Sequence, residues 1–355
     1  TLVCPAGSLV KRVSDLGGVV HETDFRDWDS FLSSGVLDAS YDIIHAHPGQ
    51  ARIWGMKARE RLDVPFFVTL HGAWTDGIED WWQHCTGIFA VSPAVRQKVL
   101  NLAPQATDRV HYMPNTVEAA PKTAIEYRPT AGAGALQVLV ATRLDQDKSA
   151  LIETLLAVWK EQVERRQTAI RWDIAGDGTE FGRVRDAATE LSHAMGRDMV
   201  RFHGWLHHEA LRGLEAECHV AMAPGRSAIA SLARGQPTIA LASAGCFGLV
   251  TRKNYWAAAH CNFGGFGLTS SVAAPDILDA LLDLSGPEGE QNRQLADCSE
   301  LTQSCFSRVL WSNKLLVHYE QAADAKTRKA LTAPFMPASE ADHLTRAYAE
   351  AKVVL

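Results

Sequence analysis

No stretch of this chain approaches the roughly 20 consecutive apolar residues that a membrane-crossing helix needs. A spanning protein is therefore not expected, and the chain reads as cytoplasmic. Its seven cysteines are an odd number with no C-x-x-C spacing, so neither a zinc site nor a disulfide framework is suggested. Basic excess is missing too: the formal net charge is −6, which removes the bulk electrostatic reason to expect nucleic acid as a partner. Internal repeats are absent beyond an alternation of strand-like and helix-like segments.

What the chain has is length and apolar mass. With 355 residues and a hydrophobic share of 46%, two domains of ordinary size are expected, each with its own core. The most informative stretch is LQVLVATRLDQDK, Leu136 to Lys148. Its apolar run carries β-branched Val138 and Val140 and reads as a strand of a parallel sheet covered on both faces. Leu151, Leu155, Leu156 and Trp159 then recur at helical spacing. Arg143 and Lys148 thus fall in the loop at the carboxyl end of a strand, where open α/β sheets bind ligands, and this pair of cations suits a diphosphate.

The same grammar runs through the rest. Upstream, the strands YDIIHAH, PFFVTLHG and GIFAV alternate with helices, as in a doubly wound parallel sheet. Between Glu118 and Ala135 the composition shifts to Ala, Pro, Thr and Gly, as in a linker. Downstream, IRWDIAGDGTEF turns at Gly176 and Gly178, and Gly225-Arg226-Ser227 open a helix. The spacing predicts a helix over Ala274 to Leu284 and a long helical tail from about Leu301. His45 and His47 alternate on a strand and could share a face as metal ligands, but no third ligand is placed beside them, so no metal site is expected.

Taken in order, FFVTLHG, IFAVSPAVRQKV, HYMPNT, VLVATRLDQDK, WDIAGDGTEF, VRFHGWL and ARGQPTIA resemble the retaining family 4 glycosyltransferases of the GT-B fold. The Gly225–Ser227 segment is similar to that of a GRS-type subgroup. The resemblance implies two Rossmann-like domains facing a cleft: an acceptor-side domain over 1–120, a linker over 121–135, a nucleotide-sugar domain over 136–300, and a helical segment over 301–355 that packs back on both. It implies transfer of a hexose from a UDP- or GDP-sugar with retention and without a metal or other cofactor. The acceptor would be a sugar, a lipid-linked sugar or a natural product in polysaccharide or glycolipid assembly, with peripheral membrane contact left open.

The resemblance also distributes roles. Arg143 and Lys148 match the residues that stabilise charge on the leaving β-phosphate. His71, in the HG loop, would meet the donor sugar. Gly176 and Gly178 would let the chain approach the nucleotide, and Arg226 and Ser227 would place a helix N-terminus at the phosphates. Two departures stand out. Ala230 occupies the position of a ribose-binding glutamate, and no acid stands at the sugar-facing position within MAPGRS. These leave a second reading open, a GT-B protein that binds a nucleotide sugar or a partner without turning it over. Family members also carry a strand ahead of TLVCP, so the natural protein is expected to begin roughly 20 to 40 residues upstream of Thr1, one strand-helix unit.

Overall fold

The computed structural model describes residues 1–7, 9–118, 134–284 and 290–327; the expected linker at 121–135 and the tail beyond 327 lie largely outside them. The chain divides into two compact units. Of the described residues, the first takes Thr1–Val91, Val95–Met113 and 313–327; the second takes Ser92–Ala94 and Pro114–Ser312.

The first unit runs β1 (Leu2–Cys4), α1 (Leu9–Asp15), β2 (Val20–Glu22), α2 (Trp28–Ser33), β3 (Ile44–Ala46), α3 (Gln50–Leu62), β4 (Phe66–Leu70), α4 (Ile78–Trp81), β5 (Gly87–Ala90), α5 (Pro93–Leu102) and β6 (Val110–Tyr112). Its strands are parallel and form two sheets, β1-β2 and β3-β4-β5-β6. All residues of β4 and β5 are buried, as their unbroken apolar runs require of strands covered on both faces. Size matching is tight here. A Cβ on Gly87 would come within 2.8 Å of Phe67, and one on Gly55 of α3 within 2.7 Å of Phe66, so these glycines bring a neighbouring strand and a covering helix onto aromatic rings.

The second unit runs β7 (Leu136–Ala141), α6 (Ser149–Glu164), β8 (Ile170–Ala175), α7 (Phe181–Met195), β9 (Val200–Gly204), α8 (His208–Glu217), β10 (Val220–Ala223), α9 (Gly225–Ala233), β11 (Thr238–Ala242), β12 (Gly245–Leu249), α10 (Tyr255–His260), α11 (Ala274–Leu284), α12 (Glu290–Cys305) and the start of α13 (Arg308–Thr327). Its six strands lie in the order β12-β11-β10-β7-β8-β9. All pair in parallel except β12, which returns antiparallel against β11. The strand expected over Gln137 to Ala141 is present as β7 and is central. Its core packs Leu151, Leu155 and Trp159 of α6 with Trp172 of β8 and Leu278 and Leu281 of α11, each fully buried side chain contributing roughly 1.5 to 3 kcal/mol. The buried amide of Gln162 is fully used: it accepts from the Trp172 indole at 2.8 Å and donates to the carbonyls of Gln167 and Ile170. A buried polar group so satisfied costs little.

Where one tail helix was expected from about Leu301, there are two. α12 ends at Cys305, and the break at Phe306–Ser307 is occupied by a backbone exchange with Val117, whose N–H donates to Phe306 and whose carbonyl accepts from Arg308. Residues of α13 up to Ser312 belong to the second unit and those from Asn313 to the first. In the first unit, Tyr319 stands edge-on to Phe67 at 5.3 Å and bonds His45, and His318 lies 4.5 Å from His111 and edge-on to Phe89.

This packing withdraws histidines from water. Burial first, and neighbouring imidazoles second, push His45 and His111 down to about 3, and burial pushes His318 down to about 4. Each is neutral when folded and takes a proton near pH 6.5 when unfolded, so below that pH the unfolded chain binds more protons. Stability is therefore expected to fall from about pH 6.5 downward, by up to about 1.4 kcal/mol per pH unit for each such histidine. Urea unfolding at pH 7 and pH 5 measures it, and His111→Gln should flatten the slope; equal stability at both pH values would contradict this account.

Candidate functional site

The second unit holds a concavity of about 390 Å³ lined by Thr142, Arg143, Lys148, Gly176, Trp205, Pro224 and Ser227, with Ala141, Ala175, Leu206 and Leu211 completing its wall. Most of these residues stand where β7, β8, β9 and β10 end or in the loops after them, and Ser227 comes from the first turn of α9. Four of the residues singled out from the sequence, Arg143, Lys148, Gly176 and Ser227, meet here. Gly178, Arg226 and Ala230 do not line it.

Backbone-to-backbone contact sets the floor. Thr142 N–H donates to the Ala175 carbonyl, Leu144 N–H to Asp177, and Glu180 N–H back to Leu144, at 3.1, 2.9 and 2.8 Å. The loop after β7 and the loop after β8 are thereby laminated together. Glycine is obligatory in this contact. A Cβ on Gly176 would sit 1.8 Å from the Thr142 carbonyl oxygen and one on Gly178 2.5 Å from Leu144, with φ of 156° and 155° at the two residues. Their immediate role is thus the approach of one loop to another.

The cations rest on carboxylates of their own loop. Arg143 Nη1 donates to Asp145 at 2.8 Å and Nη2 to Asp147 at 3.0 Å, and Lys148 Nζ donates to Asp147 at 2.8 Å. Asp147 is held below the usual carboxylate range, first by the Lys148 hydrogen bond and then by the two positive charges. Asp145 turns its other oxygen to the N–H of Thr179 at 3.2 Å, which adds a side-chain stitch between the laminated loops. Arg143 is half exposed, so these ion pairs are screened and weak. They aim the cations without trapping them.

At the start of α9 the structure refines the expectation for Ser227. Its N–H donates to the Pro224 carbonyl at 2.9 Å, as does that of Ala228 at 3.2 Å. The Ser227 amide is therefore committed within the first turn, and what it presents to the pocket is its side chain.

His71 belongs to the first unit. Strands β3 and β4 are parallel neighbours with Ala46 beside Val68, so the residues just beyond their carboxyl ends emerge side by side. His71 Nε2 and His47 Nδ1 lie 2.8 Å apart. Behind them His45 bonds the Thr69 hydroxyl at 2.7 Å and the Tyr319 hydroxyl, so that alternating His45 and His47 serve hydrogen bonding. Among the described residues no three His, Cys, Asp or Glu side chains converge as metal ligands. Burial, then His47, pushes His71 down to about 4, while the residue stays exposed on its other side. His47 is lowered as well, by burial.

Sequence reasoning did not find Trp205, which is 63% exposed at the pocket rim. Its signal was its place directly after His203-Gly204 at the end of a strand. Nor did it find the His47–His71 pair, whose signal was two histidines at the ends of adjacent parallel strands.

Residues 24–120 match the family model described as Glycosyltransferase Family 4. The fold is shared with Anabaena HepE, solved in complex with UDP and glucose, at a TM-score of 0.64 and 16% identity over 90% of this chain and 91% of that one. It is shared also with sucrose-phosphate synthase from Thermosynechococcus elongatus, at a TM-score of 0.59 and 18% identity over 84% and 77% of the two chains. A third likeness is to a trehalose-6-phosphate synthase studied for glycosyl transfer with retention, at a TM-score of 0.58 and 12% identity over 83% and 79%. No curated protein matches the sequence. The chain has the GT-B glycosyltransferase fold. The sheet of the second unit is doubly wound, and sheets of that kind bind ligands beyond the carboxyl ends of their strands, where Arg143, Lys148 and Ser227 meet.

The lamination yields a direct expectation. Gly176→Ala should cost several kcal/mol, because its Cβ has nowhere to go without parting the two loops. Gly182, whose Cβ would meet nothing within 4 Å, is the control, and Gly182→Ala in α7 should melt at or slightly above the parent temperature. Equal melting temperatures for the two variants would remove the lamination argument.

Proposed function

We propose that this protein is a glycosyltransferase that moves a hexosyl group from a nucleotide diphosphate sugar to an acceptor hydroxyl, with retention and without a divalent cation. The observation that carries the reading is the convergence of Arg143, Lys148, Gly176 and Ser227 on one concavity at the strand ends. When the glycosidic bond breaks, negative charge grows on the β-phosphate, and two fixed cations there stabilise it where it develops. The diphosphate would replace Asp147 as the partner of both cations, since it brings more charge than one carboxylate and accepts in a bidentate fashion from a guanidinium. The Ser227 hydroxyl would donate to a phosphate oxygen. His71, neutral at pH 7, would bond a hydroxyl of the sugar.

The complexes of HepE with UDP and with UDP-glucose support a uridine donor, and the trehalose-6-phosphate synthase likeness supports retention. The acceptor class stays as the resemblance gives it: a sugar, a lipid-linked sugar or a natural product. No helix among the described residues is long and apolar enough to cross a membrane. The second reading, binding without turnover, is favoured by Ala230 and by the lack of an acid within MAPGRS. Release of nucleoside diphosphate from UDP- or GDP-sugars in the presence of candidate acceptors separates the two.

Changing Arg143 or Lys148 to Ala should weaken UDP or GDP binding by about 1.5 to 3 kcal/mol, the range of a charge-assisted hydrogen bond, with the melting temperature nearly unchanged. Calorimetry giving parental affinity in both variants would dispose of the diphosphate assignment. Ala230→Glu should tighten nucleotide binding at least about fivefold, near 1 kcal/mol, if a carboxylate on α9 reaches the ribose. Helix propensity does not oppose the change. Unaltered or weaker affinity for every common nucleotide would mean that position 230 does not face the ribose.

A further inference from the structure

Asp76 lies five residues beyond His71, in an unusual conformation and with unusual partners. Its φ is +55°, a region that side-chain-bearing residues enter rarely. One carboxylate oxygen accepts from the Gly49 N–H at 2.7 Å and from Arg52 Nε at 2.6 Å. Its carbonyl accepts from the Trp81 indole at 2.7 Å, and the Arg52 guanidinium stacks over the same indole at 4.9 Å. The Arg52 and Asp76 side chains are 11% and 13% exposed. Burial opposes the charge on Asp76, but the Arg52 and Gly49 hydrogen bonds outweigh it and hold the carboxyl below its ordinary range.

These contacts join two loops. Gly49, two residues past His47, caps α3, and Arg52 lies in its first turn; Asp76 closes the loop that starts at His71. Gly49 has a φ of +84°, and a Cβ there would lie 3.2 Å from the Trp74 ring, so the His47 loop passes directly under the His71 loop. Lys98 of α5 fastens the same loop at the Ala73 carbonyl, at 2.6 Å. Nothing in the His47–His71 contact itself would hold two half-open neutral imidazoles at 2.8 Å, because a single exposed hydrogen bond contributes only about 1 kcal/mol.

We propose that Asp76 is a positioning residue for His71: by fastening the His71 loop to the start of α3 it fixes the hydrogen bond between His71 Nε2 and His47 Nδ1 and leaves His71 Nδ1 to a ligand hydroxyl. The role in transfer rests on the glycosyltransferase reading; the positioning itself does not.

The test is the titration of individual histidines by NMR in the whole protein. The charged and titratable groups around the two loops include His45, His47, Arg52, Asp76 and Lys98, with Glu79 and Asp80 in the first turn of α4 and Tyr319 against His45. Asp76→Asn keeps the shape and tolerates positive φ, and removes the charge that holds Arg52. Asp76→Gly removes the acceptor altogether without backbone strain. Two effects of opposite sign are then separable. Loss of a negative charge, by itself, makes a nearby imidazolium less favourable and lowers the His71 pKa, whereas release of the loop returns His71 to water and to its ordinary value. We expect His71 to titrate at least about one unit higher in both variants, more in Asp76→Gly, with His111 and His318 unmoved as witnesses that the unit is folded. A His71 titration that is unchanged or lower overturns the proposal. If Asp76→Gly fails to fold, Asp76→Asn alone decides on the same criterion.

With UDP-glucose and a working acceptor, kcat should fall at least about tenfold while UDP affinity stays within about twofold. A shifted His71 with parental kcat would overturn the role in transfer. A parent protein that turns over no nucleotide sugar sinks the glycosyltransferase reading and leaves the titration result standing.

Discussion

Everything in the second unit's pocket hangs on how closely two loop backbones approach. The carbonyl of Thr142 occupies the place where a side chain at position 176 would begin, and Leu144 does the same at 178. Because those positions are glycine, three backbone hydrogen bonds can cross between the loops after β7 and β8. A strand end is then no longer a free loop but part of a small two-ply surface. Arg143 is carried on that surface, and its guanidinium direction is set by Asp145 and Asp147, residues of the same ply. Pre-organisation of this kind costs conformational entropy at folding, when the backbone is ordered anyway, and spares it at binding.

The first unit solves a different problem with the same parallel scaffold. Its strands carry histidines at their carboxyl ends, and the packing of Phe67, Phe89 and the Tyr319 turn of α13 removes water from behind them. Desolvation disfavours the charged form, so these imidazoles are neutral hydrogen-bonding groups at ordinary pH. Arg52 and Lys98 stand nearby, but each is spent on fastening a loop. Neutrality at the His71 loop and paired cations at the Arg143 loop are thus consequences of local packing and not of overall charge, which is negative in the chain as a whole.

Strands β4, β5 and β7 were legible in the sequence because they are largely buried on two faces, and burial on two faces writes itself as an unbroken apolar run such as FFVTL or LQVLVA. The Arg143 loop was legible for the same reason: it follows directly on such a run. β12 was not. GCFGL has glycines where a strand would show side chains, and the reason is tertiary, since Ser271 and Val272 stand where Cβ atoms at 245 and 248 would project, at 2.9 and 3.1 Å. The break between α12 and α13 was hidden in the same way, for it is made by Val117, far away in sequence. The glycines at 176 and 178 were found, and their ligand-facing role was inferred, but their neighbour proved to be the chain itself. A glycine signals close approach without naming what approaches.

That distinction bears on how the proposed activity would tolerate the missing acids. Under the proposed function, a glutamate at position 230 that reached a ribose would add hydrogen bonds to it, a contribution to binding shared by ground state and transition state alike, and uniform binding of this kind does not lower the barrier to the chemical step. Cations that meet charge growing on a leaving phosphate act in the transition state above all, and under the proposed function Arg143 and Lys148 have that part. Under the proposed function the loss at position 230 therefore sheds affinity more than catalytic capacity. The acid absent from MAPGRS is the more serious loss on this reasoning, because a group at the sugar acts where bonds change. His71 is left as the candidate to meet that sugar, and this places the burden of geometry on whatever holds the His71 loop.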